Sequence, residues 1–185
     1  GRRAHNYFRS EVGNTGRVSQ VRTSTQTWVG PSMYNDDEVF ARVRQRAAQL
    51  TRTSLDVFEE TQVVLYRRHQ HYYVHADFTY KVEDPDNPYY AAGGNRLVTL
   101  IYYLNTVRRG GETVFPRANV SAAVAALPSF VFAGRKACTD GTGLRVAPVK
   151  GRVAMFYNLL ENSTLDGVGD PLTLHAGCDV LGGGG

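Results

Sequence analysis

Residues 96–104 read Arg-Leu-Val-Thr-Leu-Ile-Tyr-Tyr-Leu. The run is apolar, β-branched and aromatic with no polar alternation, the pattern of a strand covered on both faces. Shorter runs of the same character lie around it, at residues 62–66 (QVVLY), 145–149, 153–157 and 172–175. Lys150-Gly151 separates two of them and predicts a turn. Upstream, Val39, Val43, Ala47 and Leu50 recur at helical spacing behind Asn35 or Asp36 as N-cap, which predicts an amphipathic helix over 36–51. The acids Asp36, Asp37 and Glu38 suit the positive end of its dipole. Residues 1–30 read as an irregular entry with short strands, 84–94 as a loop rich in Pro, Asp and Gly, and 116–143 as a long, weakly patterned insertion. A helical front end feeding short strands and long loops points to α+β with a sandwich or barrel core.

At 185 residues the chain fits a single domain, 1–185, with enough length to bury a core. No apolar stretch approaches the roughly 20 residues of a membrane helix, and no signal-peptide h-region follows Gly1-Arg2-Arg3. The net charge of +4 is carried almost entirely by arginine, since Lys81, Lys136 and Lys150 are the only lysines. No like-charged run is long enough for a nucleic-acid arm, so no nucleic-acid partner is expected. Cys138 and Cys178 are too few for a zinc site. They are compatible either with one disulfide in an oxidising compartment or with two thiols.

The chemistry lies in His75-Ala76-Asp77. Residues two apart on an extended strand project to the same face, so an imidazole and a carboxylate at this spacing can reach one ion. His175, at the end of an apolar run in Thr173-Leu174-His175-Ala176-Gly177-Cys178, is the best third ligand. Two histidines and one carboxylate on one side of an ion leave its other positions open, the arrangement of non-haem iron(II) oxygenases. A lone His-x-Asp is ordinarily a solvated or capping pair, and His5, His69 and His71 read as structural or surface residues. His71 shares the strand face of His75 and could line the same pocket.

The surrounding text is more specific. Arg22-Thr23-Ser24 with Trp28, 62–66 (QVVLY), 72–77 (YYVHAD), 95–104 (NRLVTLIYYL), 110–116 (GGETVFP), 148–156 (PVKGRVAMF) and 174–178 (LHAGC) follow one another in order. Together they resemble the catalytic domain of the prolyl 4-hydroxylases, Fe(II)- and 2-oxoglutarate-dependent dioxygenases, from about Val21 to the end. The resemblance implies a double-stranded β-helix (jelly-roll) core with N-terminal helical support. It implies Fe(II), 2-oxoglutarate, O2 and ascorbate as cofactors, and a proline-rich peptide or protein as substrate, hydroxylated at C4 of peptidyl proline. It puts His75, Asp77 and His175 on the iron, Tyr66 and Thr113 on 2-oxoglutarate, and Tyr72 and Arg96 on the peptide. Each has a plainer reading: Tyr66 and Tyr72 as half-buried strand aromatics, Thr113 as part of the Gly110-Gly111 turn, Arg96 as an ion-pair partner of Glu83 or Asp84.

One departure stands out. The family carries a lysine shortly beyond the distal histidine, paired with the far carboxylate of 2-oxoglutarate, whereas this chain reads Gly182-Gly183-Gly184-Gly185 there and stops. The expectation is a sequence that ends just before the last strand. The rival readings are the same chemistry on peptidyl lysine or a small molecule, and a non-catalytic jelly-roll binding module. The resemblance also suggests the secretory pathway, endoplasmic reticulum or Golgi lumen, and Asn119-Val120-Ser121 and Asn162-Ser163-Thr164 are possible glycosylation acceptors.

Overall fold

The structure, a computed structural model, describes residues 8–10, 20–31, 37–79, 94–126, 132–160 and 168–182. It divides into two compact units, Gly1–Arg67 and Arg68–Gly185. Among the described residues no helix is long and apolar enough to cross a membrane.

The first unit is a three-stranded antiparallel sheet with one long helix. Strands β1 (Phe8–Arg9), β2 (Thr25–Val29) and β3 (Thr61–Leu65) lie in that order. β2 and β3 pair over five rungs, from Thr25 opposite Leu65 to Val29 opposite Thr61. Side chains continue the ladder: Arg22 donates to Gln62 at 2.9 Å, and Gln62 donates to Gln26 at 2.9 Å. Helix α1 (Glu38–Thr51) begins two residues later than the 36–51 expected. Its cap is Asp37, whose carboxylate accepts from the amides of Val39 and Phe40 at 2.9 and 3.0 Å. Asn35 and Asp36, the expected caps, lie outside the described residues. The helix stops where Arg52 turns left-handed, with φ 55°. Of the expected apolar stripe only Ala47 is buried, while Val39 and Leu50 remain exposed.

The second unit holds the remaining strands in three antiparallel groups. The largest is a four-stranded sheet of β4 (Tyr72–His75), β10 (His175–Gly177), β7 (Thr113–Phe115) and β8 (Leu144–Val146), in that order. The run at 96–104 forms β5 (Val98–Tyr102) and pairs over five rungs with β9 (Val153–Tyr157). β6 (Arg109–Gly110) pairs with β11 (Val180–Gly182). The strands close no barrel among the described residues, so the architecture is mixed helix and sheet. The core gathers on the four-stranded sheet, where Val114, Phe115, Leu174 and Ala176 are buried.

Three loop readings are decided here. Lys150-Gly151 does turn the chain, with Arg152 N–H donating to Val149 C=O at 3.0 Å and Gly151 at φ 86°. The expected strand at 172–175 is instead a 3-10 turn over Pro171–Thr173, followed by β10. Asp170 caps that turn through the Leu172 amide at 2.8 Å, and Pro171 at its start is pre-set for a helical φ. The insertion at 116–143 contains two short helices, α2 (Ala122–Ala125) and α3 (Lys136–Thr139). The loop expected at 84–94 lies outside the described residues apart from its last position.

Cys138 on α3 and Cys178 just past β10 form a disulfide, with Cα atoms 5.6 Å apart and 40 residues of separation. The bridge therefore ties the insertion to the central sheet, and a loop of that length is worth about 4 kcal/mol in the chain-entropy picture. Reducing it should lower the unfolding free energy read by urea titration by roughly 2–4 kcal/mol, and an unchanged value would show that the bridge restrains nothing. Gly110 sits at φ 73°, and a Cβ there would fall on the carbonyl oxygen of Asp179. Gly110→Ala should therefore cost several times the ~1 kcal/mol of an average point substitution, read as a drop in melting temperature.

Candidate functional site

The pairing of β4 with β10 sets His175 directly opposite His75. Facing residues on neighbouring strands project to the same side of the sheet. Asp77 lies two residues past His75, beyond the end of β4 rather than on it. The same-face argument from an ideal strand is therefore only approximate, but the outcome holds. One ligand atom from each of His75, Asp77 and His175 lies within 4.8 Å of the others. His75 Nε2 is 3.6 Å from Asp77 Oδ1 and His175 Nε2 is 3.7 Å from Asp77 Oδ2, longer than hydrogen bonds.

Both rings are oriented by the same local device. His75 Nδ1 lies 2.8 Å from the carbonyl of Tyr73, and His175 Nδ1 lies 2.9 Å from the carbonyl of Thr173. A carbonyl can only accept, so each Nδ1 carries the proton and donates it. In the neutral ring Nε2 is then the nitrogen with the lone pair, and it faces the other donors. This is the tautomer a metal-binding histidine needs, held by the partner such histidines normally have. Two neutral imidazole nitrogens and a carboxylate oxygen, clustered and largely buried, fit a divalent transition metal.

Packing limits motion of the rings. Phe156 meets His175 edge-on at 5.0 Å and Phe115 lies tilted at 5.5 Å. Tyr72 stacks on His75 with centroids 3.6 Å apart. In a regular strand Tyr72 and His75, three apart, would point to opposite faces. The register with β10 shifts between His175 and Gly177, so β4 has one extra residue there, and this bulge puts the two rings together. His71 does not join the triad; it stacks on Tyr73 at 4.4 Å and pairs with Asp179 at 3.3 Å.

Asp77 has more partners than the sequence discloses. Its Oδ2 accepts from the Thr99 hydroxyl at 2.8 Å, and its backbone carbonyl from Arg96 at 3.4 Å. Burial alone would raise this carboxyl, but His175, His75, Thr99 and Arg96 outweigh it and hold it below the ordinary carboxylate range. Arg96 was expected to meet either peptide or an acid at 83–84; the latter two lie outside the described residues. Thr113 is buried on β7 opposite Gly177 of β10, and its hydroxyl accepts from Tyr103 at 2.7 Å. Tyr66 follows β3 at the end of the first unit. Thr99, Tyr103 and Phe156 escaped the sequence reading because they sit inside apolar strand runs that look like core. Register across two sheets, which single-strand periodicity does not carry, brings them here.

Residues 61–184 match the family model of the 2OG-Fe(II) oxygenase superfamily. The chain is 33% identical over 173 residues to a probable prolyl 4-hydroxylase 3 of Arabidopsis thaliana, covering 93% of this chain and 54% of that protein. It is 33% identical over 169 residues to the prolyl 4-hydroxylase subunit alpha-1 of Rattus norvegicus, covering 90% of this chain and 26% of that protein. The chain thus spans about half, or less, of the length of these relatives. A viral collagen prolyl hydroxylase from Paramecium Bursaria Chlorella virus-1, solved in complex with 2OG, is similar at TM-score 0.56 and 25% identity, over 88% of this chain and 74% of that one. The family and the donor set together support Fe(II) and 2-oxoglutarate as cofactors.

The charge of Asp77 gives a direct test of the site's electrostatics. A carboxyl depressed in the folded state contributes stability that is complete above its unfolded value, about 3.9, and is lost as pH falls through the folded value. The stability difference between the metal-free protein and Asp77→Asn should therefore be constant above about pH 5 and change as pH drops below about 4. Urea unfolding at pH 7 and pH 3 reads it, and a difference that stays constant would refute the depressed carboxyl. With the matched span enclosing all three clustered donors, the chain belongs to the 2OG-Fe(II) oxygenase superfamily.

Proposed function

We propose that the protein is a prolyl 4-hydroxylase-type dioxygenase, acting at C4 of peptidyl proline. In the overall reaction one oxygen atom of O2 enters the proline C4–H bond and the other enters succinate as 2-oxoglutarate loses CO2. The single observation that carries the reading is the triad of His75, Asp77 and His175, whose two Nε2 lone pairs and carboxylate converge. The substrate class follows the names of the relatives, two prolyl 4-hydroxylases and a collagen prolyl hydroxylase. A double-stranded β-helix core with N-terminal helical support is the architecture we propose on the likeness to the viral enzyme.

In this reading His75, Asp77 and His175 hold the iron, which activates O2 together with 2-oxoglutarate when bound. The paired Nδ1–carbonyl bonds hold both imidazoles in orientation, with Nε2 aimed at the metal position. Phe115 and Phe156 exclude water on the His175 side. Thr113 hydrogen-bonds the cosubstrate: its oxygen already accepts from Tyr103, which leaves its own proton to donate to a carboxylate. Tyr72 and Arg96 meet the peptide, an aromatic surface suiting a segment pre-extended as polyproline II. Ascorbate restores iron oxidised off-cycle. The disulfide suits an oxidising compartment and so the secretory pathway.

Succinate formation from 2-oxoglutarate, with Fe(II), ascorbate and a proline-rich peptide, tests the proposal. Peptide-dependent turnover should vanish in His75→Ala and in Asp77→Ala, a loss larger than the roughly 10–100-fold that an outer-shell change costs. Full activity in His75→Ala would sink the metal assignment. Turnover with lysine-containing but not proline-rich peptides would keep the chemistry and discard the substrate. Thr113→Ala should raise the KM for 2-oxoglutarate about tenfold, the worth of one hydrogen bond to a charged group, with the peptide KM unchanged. Equal shifts in both constants would remove Thr113 from cosubstrate binding.

A further inference from the structure

Asp77 is held on one side by two uncharged groups from the other large strand pair. Thr99, on β5 opposite Phe156, donates its hydroxyl proton to Asp77 Oδ2 at 2.8 Å. The same hydroxyl oxygen accepts from Asn158 Nδ2 at 2.9 Å. The direction of the chain follows from proton counting. An ionised carboxylate only accepts, a hydroxyl has one proton, and once it is given away the hydroxyl oxygen needs a donor. The amide of Asn158 must therefore present nitrogen to Thr99 and turn its carbonyl elsewhere.

The cost of that orientation is visible. Asn158 is fully buried, and among the described residues its Oδ1 meets no donor. Buried acceptors are rarely left so, and an asparagine present only to fill space would be better replaced by an apolar side chain. Its backbone is fixed at both ends, the amide donating to Leu97 C=O at 2.8 Å and the carbonyl accepting from Asp170 at 2.7 Å. The residue cannot swing to find another partner without breaking the end of the β5–β9 pair. The fold thus holds a donor, at the expense of an acceptor, one hydrogen bond behind Asp77.

We propose that Thr99 and Asn158 are positioning residues of the metal site: the relay holds Asp77 through Oδ2 and so fixes how its carboxylate faces the two histidines. The inference rests on the metal-site reading above and adds to it the source of the carboxylate's orientation. His75 and His175 are placed by β4 and β10, whereas Asp77 lies beyond its strand and has no rung of its own. The relay makes good that lack by referring the carboxylate to β5 and β9. It also makes the relative position of two strand pairs part of the metal affinity.

Titration of the full chain with Co(II) alone, followed by its visible d–d absorption, tests this without turnover. Thr99→Val, which keeps shape and removes the hydroxyl, should weaken Co(II) binding about 10–100-fold. Thr99→Ser should restore it to within about threefold of wild type, because the hydroxyl is what matters. Asn158→Leu should weaken it in the same direction, by about tenfold. Near-UV circular dichroism of the metal-free variants checks the fold, and Thr99→Ala, smaller and free of any clash, carries the test if the valine variant does not fold. If Asp77→Ala abolishes Co(II) binding while Thr99→Val and Thr99→Ala bind like wild type, the relay is wrong and the metal site stands. If Asp77→Ala binds Co(II) like wild type, the metal-site reading fails and the relay with it.

Discussion

The register between β4 and β10 is the constraint on which the rest of the site depends. His75 and His175 are a hundred residues apart in the chain and directly opposed in the sheet. Side chains alternate faces with a period of two, so a slip by one residue would send one imidazole to the far side. Little else could hold that register alone, because β10 is only three residues long. It is held instead by company: β7 on its other edge, the buried Val114 and Ala176, and the disulfide immediately after it.

The donor cluster is otherwise an unfavourable thing to build. A carboxylate taken out of water and two imidazoles with unshared lone pairs facing one another cost free energy unless something compensates. Each compensation is specific and local. The imidazoles donate hydrogen bonds to carbonyls two residues back, and the carboxylate accepts from Thr99 and lies in the fields of Arg96 and the histidines. The β-bulge that stacks Tyr72 on His75 belongs to the same group of features, since it sacrifices one regular rung to brace a ring. The ladder irregularity lies beside the site, while the rungs of β5 and β9 run regularly. A bulge at such a position is expected where geometry serves binding rather than stability.

Sequence reading succeeded where the signal is local. Continuous β-branched runs identified β3, β5 and β9 to within a residue or two, but not as strands covered on both faces: Val153, Met155 and Tyr157 are exposed along β9, and Tyr102 ends β5 exposed. The His75-Ala76-Asp77 spacing and the flanking motifs selected three residues that do come together. It failed where a competing local bond won. Asp170 and Pro171 turned an apolar run at 172–175 into a 3-10 turn, and the helix start moved to Asp37, whose carboxylate satisfies two free amides. The strands β6 and β11, of two and three residues, were not legible at all, since so short a stretch shows no period.

By itself, then, the sequence determined which residue types were available to one ion, the family whose motifs surround them, and the strands long enough to show their burial. It left Cys138 and Cys178 undecided, because a pairing 40 residues apart depends on where α3 and the end of β10 meet. It was silent on Thr99, Asn158 and Tyr103, whose polar atoms sit in or beside strand runs that read as ordinary core. Only the tertiary structure decides these, for a physical reason: a hydrogen bond between strands depends on register and twist. Those are set by the packing of the whole unit and not by any residue's neighbours in the chain.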